Sequence, residues 1–153
     1  MTYNPTRQLL TGIAQLLADN DIALWTPDAP YADTDTGVVM KTMPDSPDRC
    51  IVLNWVPMGA SPTIPHLTGL LQCACRGSRN DAMDADDLAD QCEGILDGIT
   101  QMPLGDCTIN LIMLRNVVNM GQDELKRCTT TVQLDVELDV PPTALRPESG
   151  AWN

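Results

Sequence analysis

Residues able to do chemistry are few in this chain, and their spacing does not gather them. One histidine, His66, stands between Pro65 and Leu67. Six cysteines sit at positions 50, 73, 75, 92, 107 and 128. A histidine that draws the proton from a thiol makes a nucleophilic pair. A lone histidine at a loop-to-strand junction is more often structural or exposed, and nothing in the spacing assigns a cysteine to this one. Zinc sites need Cys and His at short repeated intervals, and no C-x-x-C occurs. Cys73 and Cys75 share one face if their segment is a strand. The run Asp81, Asp84, Asp86, Asp87 invites a calcium reading. Counted from Asp81, however, Asp86 stands where an EF-hand loop needs glycine, and Cys92 where it needs glutamate. G-x-S-x-G, P-loop and G-x-G-x-x-G patterns do not occur. The expectation is no catalytic residue, no metal site, no cofactor and no enzyme.

The carboxylates of residues 129–140 (TTTVQLDVELDV) form the most regular pattern. Val132, Leu134, Val136, Leu138 and Val140 alternate with Gln133, Asp135, Glu137 and Asp139. A period of two in a Val- and Thr-rich run predicts a strand with one dry face. The other face carries Asp135, Glu137 and Asp139 and no cation. It is either an ordinary solvated sheet face or the lining of a channel where negative charge is useful.

The charge balance narrows the partners. Nine basic and 21 acidic residues give a net charge of -12. Such a surface does not wrap duplex DNA, although it suits a passage through which DNA slides without sticking. The chain has 153 residues and is 43% apolar, enough for one domain with a real core. It has no apolar run of about eighteen residues, so no membrane span is expected. With no leader pattern and no disulfide framework, a reduced cytosolic protein with small buried thiols is the plain reading.

These groups must be held by a modest set of elements. Leu9, Leu10, Ile13, Leu16 and Leu17 stripe one side of a helix over residues 5–20. Residues 26–37 are loop by composition. Strands over 38–43 and 50–56 flank a Pro–Asp turn and read as an antiparallel pair. A second long loop covers 57–66, followed by a strand over 67–77. A helix capped by Asn80 or Asp81 carries Leu88, Cys92, Ile95, Leu96 and Ile99 on one side. Residues 107–118 are apolar on both strand faces, so they are covered by helices or pressed against another subunit. Residues 119–127 are a polar connection to the last strand. The fold class expected is α+β, a mostly antiparallel sheet of four to five strands with two helices on one face. The domain spans 1–140, and a Pro-rich arm spans 141–153.

At this point the order of segments resembles a known family. The pieces are LLTGIAQLLADNDIALW from Leu9, MPDSPDRCIVLNWVP from Met43, LLQCACRGS from Leu70, and LIMLRNVVNMGQDELKR from Leu111. Together they are similar to the minor capsid or tail terminator proteins of long-tailed bacteriophages, over about residues 6–139. The resemblance implies a structural virion protein, not an enzyme. It implies a small subunit that closes into a homo-oligomeric ring, commonly a hexamer, at the head-proximal end of the tail of a siphophage. The ring would cap the tail tube protein, end its polymerisation and offer a joining surface to the head-tail connector. DNA would pass through the lumen without specific binding, and assembly would occur in the host cytoplasm. On this reading Asp135, Glu137 and Asp139 are candidates to face the lumen. Tyr31, Met58, Ile64, Arg115 and Trp152 are candidates for subunit or axial interfaces. The alternatives are a head-to-tail connector or neck protein, or a small ligand-binding or enzymatic domain using a cleft near His66.

Overall fold

A computed structural model of the chain describes residues 2–145. Its elements run α1 (Pro5–Asp19), β1 (Gly37–Met40), β2 (Cys50–Ala60), β3 (His66–Arg76), α2 (Asp84–Leu96), β4 (Thr100–Leu104), β5 (Cys107–Gln122) and β6 (Cys128–Asp139). Among the described residues the strands form one sheet in the order β1-β2-β3-β6-β5-β4. The α+β class fits, but the expected four to five antiparallel strands are corrected to six in a mixed sheet. Four neighbouring pairs are antiparallel, and β1 runs parallel to β2.

Two errors of local reading account for the correction. The first concerns the strands flanking the Pro–Asp turn, which do not form a hairpin: Gly37 pairs with Cys50 and Met40 with Leu53, in parallel. The chain between them folds back along the sheet end and is held there by distant arginines. Arg76 donates to the carbonyls of Asp48 (2.8 Å) and Pro47 (2.8 Å), and Arg127 to that of Asp45 (2.7 Å). A turn signal in sequence cannot reveal donors that lie far along the chain.

The second error is the missing β4, whose Pro103 and polar residues hide a strand. It is an edge strand, where a residue without an N–H is tolerated. Gly105, at φ +58°, and Asp106 close a tight hairpin into β5.

The hydrophobic pattern places the core. Leu9, Ile13 and Leu17 of α1 and Leu88, Cys92 and Leu96 of α2 are fully buried in one cluster with Leu53, Leu71, Ile112, Leu134 and Leu138 of the sheet. Both helices therefore lie on the same side of the sheet. Burying side chains of this size contributes on the order of 2 kcal/mol each. The approach is close: a Cβ on Gly69 would sit 2.6 Å from the Trp55 ring and 2.5 Å from the Val56 carbonyl.

Helix α2 starts later than its acidic run suggested. Neither Asn80 nor Asp81 is its cap; the boundary residue is Met83, which makes no side-chain cap bond. Asp84 instead accepts from Arg49 (2.7 and 3.0 Å) and from the Ser78 N–H (2.7 Å). The acid is used to tie the helix start to β2's entry rather than to complete a capping turn.

The two loops flanking the long strands are shorter than their composition implied. β2 continues to Ala60 and β3 begins at His66, so Met58 is in a strand and Ile64 in the connecting turn. β5 continues to Gln122, and Asp123 organises the turn by accepting from the N–H groups of Leu125 (2.9 Å) and Arg127 (3.0 Å). The long β5–β6 hairpin outruns its helical cover. Val117 is 46% exposed on the helix-bearing side, while Met113 and Met120, 53% and 63% exposed, lie on the other side of the sheet. The two-faced strand is thus buried only where Ile109 and Ile112 meet the core.

Candidate functional site on the uncovered sheet face

The helices leave one side of the sheet bare, and strand registers say which residues face it. On β6 these are Thr129, Thr131, Gln133, Asp135, Glu137 and Asp139, because the alternate residues Val132, Leu134, Val136 and Leu138 are in the core. Asp135 lies opposite Leu70 and Met113, Glu137 opposite Thr68 and Leu111, and Asp139 opposite His66 and Thr108.

The face is concave. Lys41, just past β1, and Met120 on β5 line the same hollow of about 250 Å³, although β2, β3 and β6 lie between their strands. A row of amides crosses it: Asn54 opposite Gln72, Gln72 opposite Gln133, and Gln133 opposite Asn116. The Asn54 amide donates to the Gln72 side-chain oxygen at 3.4 Å. Sequence reasoning missed this row. The four amides lie in four different strands, and only the register aligns them.

The three carboxylates are not equivalent. Arg115 pairs with Asp135 at 3.1 Å, and both are about half exposed. An exposed pair of this kind contributes about 0.2–1 kcal/mol. His66 Nδ1 lies 2.9 Å from Asp139. Glu137 is exposed, and no ion pair is made by it among the described residues. The face is acidic at one end and neutral across its middle.

The other interface candidates are dispersed. Tyr31 is committed within the subunit. Its hydroxyl donates to the Val38 carbonyl (2.6 Å), accepts from the Thr26 N–H (3.2 Å), and its ring packs on Gly37. Gly37 and Asp139 belong to opposite ends of the sheet, by register. Met58 and Ile64 are 60% and 45% exposed near the Asp139 end. Trp152 lies outside the described residues.

At the opposite end of the sheet sits a charged cluster around one buried arginine. Arg127, 5% exposed, pairs with Asp48 (3.0 Å) and Asp123 (2.8 Å), and Arg79 also pairs with Asp48 (2.9 Å). Burial works to raise the Asp48 carboxyl, but the hydrogen bonds from Arg79 and Arg127 outweigh it and hold the group below its ordinary value. At Asp84 burial is likewise outweighed, there by Arg49 and the Ser78 N–H. Asp123 is lowered chiefly by the backbone N–H of Arg127. These are structural pairs that pin the 41–49 segment and the hairpin turn.

The thiols offer no reactive centre. Cys50, Cys73, Cys75, Cys92 and Cys107 are buried, and every cysteine is free. Burial pushes the Cys50, Cys73 and Cys107 thiols up; the contact with Cys92 at 3.8 Å and burial do the same to Cys75. Among the described residues no three His, Cys, Asp or Glu side chains converge as a metal site. No described helix is long and apolar enough to cross a membrane.

What remains is a concave wall with an acidic end and exposed apolar residues along one hairpin. Residues 16–140 match the model of the bacteriophage tail terminator protein family. The chain belongs to that family. The match covers most of the chain and includes the whole sheet. No curated protein matches the chain. A tail terminator is a structural component of the virion tail, and this one builds its wall from β2, β3, β6 and β5. The family is structural rather than enzymatic.

Proposed function

We propose that this tail terminator closes into a ring at the head-proximal end of the tail. There it caps the tube, ends tube polymerisation and presents a joining surface to the head connector. Residues 1–140 act as the ring-forming domain, with 141–153 as an arm outside it. The concave sheet face is the surface assigned to the bore. The observation that carries this is the bare face itself: a large sheet surface without helical cover, on which carboxylates and amides stand beside the exposed side chains of Val56, Met113 and Met120.

DNA carries dense negative charge, and a wall whose carboxylates outnumber its one unpaired cation among the described residues, Lys41, does not hold it. Glu137 and Asp139 supply the repulsion, while the amide row offers neutral, exchangeable hydrogen bonds. Arg115, tied to Asp135, does not stand out as a phosphate anchor. Val117, which pairs with Val132 on the helix-bearing side, and Leu125 in the hairpin turn supply apolar contact for the next subunit, a head-to-tail arrangement that closes when the rotation fits.

The test is a Glu137→Lys, Asp139→Lys double variant in assembled particles. The expected result is tails of normal length with impaired DNA passage. Normal infectivity with both lysines in place, or a cryo-electron microscopy map with this face on the outside of the particle, overturns the bore assignment. Tails of uncontrolled length when the protein is absent support the capping role; unchanged tail length overturns it.

A further inference from the structure

Two strands of the sheet outrun the neighbours on their outer sides. β1 pairs with β2 from Cys50 to Leu53 and stops, although β2 runs on to Ala60. β4 pairs with β5 only as far as Leu111, although β5 runs on to Gln122. A few bonds finish the cover. The Lys41 N–H donates to the Leu53 carbonyl (2.9 Å), the Ile112 N–H to the Ile99 carbonyl (2.9 Å), and the Leu114 N–H to the Asp97 carboxylate (2.8 Å). Beyond those points no described strand lies against either outer edge. Val56 to Ala60 are all exposed, and so is β5 from Arg115 to Gln122 apart from half-buried Val118. An uncovered edge of this kind is a template for a strand from another chain.

The same bonds fix which backbone groups point outward, because these alternate sides along a strand. Counting on from Leu53, the N–H and C=O of Trp55 and the C=O of Pro57 point away from β3. Pro57 has no N–H to leave unpaired there, which suits an edge. Counting on from Leu114, across the register shift before Asn116, the N–H and C=O of Val117 and Asn119 point away from β6.

The two free edges complement each other. Three antiparallel pairings separate β2 from β5, so the two strands run in opposite directions on opposite sides of the sheet. Copies placed side by side the same way round therefore bring β5 of one antiparallel to β2 of the next. Within a subunit Asn119 is level with Ile51, through Thr130 and Cys75. Setting Asn119 opposite Trp55 of the next copy moves the register four residues along while crossing four strands. That is about 13 Å along against about 19 Å across, a strand tilt of about 35°, within the range of closed sheets. At this register the bulge between Asn119 and Gly121 falls where β1 begins to cover β2, so the hairpin tip can bend away from β1. Resting on the ring reading above, we infer that the outer edge of β5, at Val117 and Asn119, pairs with the outer edge of β2, at Trp55 and Pro57, of a second copy. The bare faces of successive copies then join into one continuous wall.

The test uses the full chain. Light scattering over a concentration series, alone and with tube protein, reports whether copies assemble. Hydrogen exchange read by mass spectrometry then compares the assembled and dissociated states. The expected result is that residues 115–119 and 54–58 slow together on assembly, by at least about 10-fold. An assembly in which both stretches exchange as fast as in the dissociated chain overturns the edge pairing and leaves the ring reading standing. A chain that stays monomeric at every concentration, with and without tube protein, overturns both. Val117→Pro removes an outward donor that the lone subunit does not use, whereas Val117→Ala keeps it. Matching thermal midpoints of the two dissociated variants report an intact fold. The proline variant should then need at least about 10-fold more protein to assemble than the alanine variant. Equal assembly of the two overturns the pairing.

Discussion

Arg127 and Asp48 stand 79 positions apart in the chain and 3.0 Å apart in the fold. The guanidinium also reaches the Asp45 carbonyl (2.7 Å) and the Asp123 carboxylate (2.8 Å), so one buried side chain clamps the 41–49 segment to the β5–β6 turn. Removing it leaves several polar groups without partners. We expect Arg127→Met to lower stability by about 2 kcal/mol, less than for a fully buried pair because both carboxylate partners are about a third exposed. Arg127→Lys should recover only part of this, since an ammonium cannot reproduce the forked geometry. Urea unfolding measures both; a loss below the error for Arg127→Met would contradict the clamp.

The same cluster sets an acid limit. Asp48, Asp84 and Asp123 are all held below the ordinary value of 3.8 in the folded chain. As pH falls, the unfolded chain therefore takes up protons first. The stability these pairs contribute is full above about pH 5 and is lost as pH drops through the lower folded values. Unfolding midpoints measured between pH 6 and pH 3 should fall steadily at the acid end. Asp48→Asn should be less stable at pH 6 and show a shallower acid slope. An unchanged slope would remove Asp48 from the account.

Gly69 lies beneath the Trp55 ring, with no room for a methyl group. Gly69→Ala should cost about 2 kcal/mol through overpacking. The near-ultraviolet circular dichroism of Trp55 should change with it. Gly94, where an added Cβ meets nothing within 4 Å, is the control. Gly94→Ala in α2 should stabilise by up to about 1 kcal/mol. Equal effects at the two sites would show that the close contact is not what matters at Gly69.

Thiol labelling should be sharply graded. Cys128 is the one cysteine that is not buried, and it should react first with an aromatic disulfide reagent. The five buried thiols should lag by at least about 10-fold, because reaction needs both exposure and thiolate. Comparable rates at Cys73 and Cys128, read by mass spectrometry, would mean that α2 opens readily from the sheet.

The sequence alone settled what depends on neighbours along the chain. The stripe Leu9, Ile13, Leu17 specifies α1, and the alternation from Val132 to Leu138 specifies β6 and its dry face. Periodicity is a local property, and burial follows it directly. The family was legible as well, through the order of segments rather than any reactive motif. The tertiary structure decided what depends on partners far along the chain. β1 runs parallel to β2, and the carbonyls of the segment between them are held by Arg76 and Arg127, donors that no turn signal encodes. That Asp135 has Arg115 beside it while Glu137 stands alone is set by the bulged β5–β6 register. The amide row of the concave face exists because four strands align at one level, and alignment across a sheet is written in pairings between strands, not within any one of them.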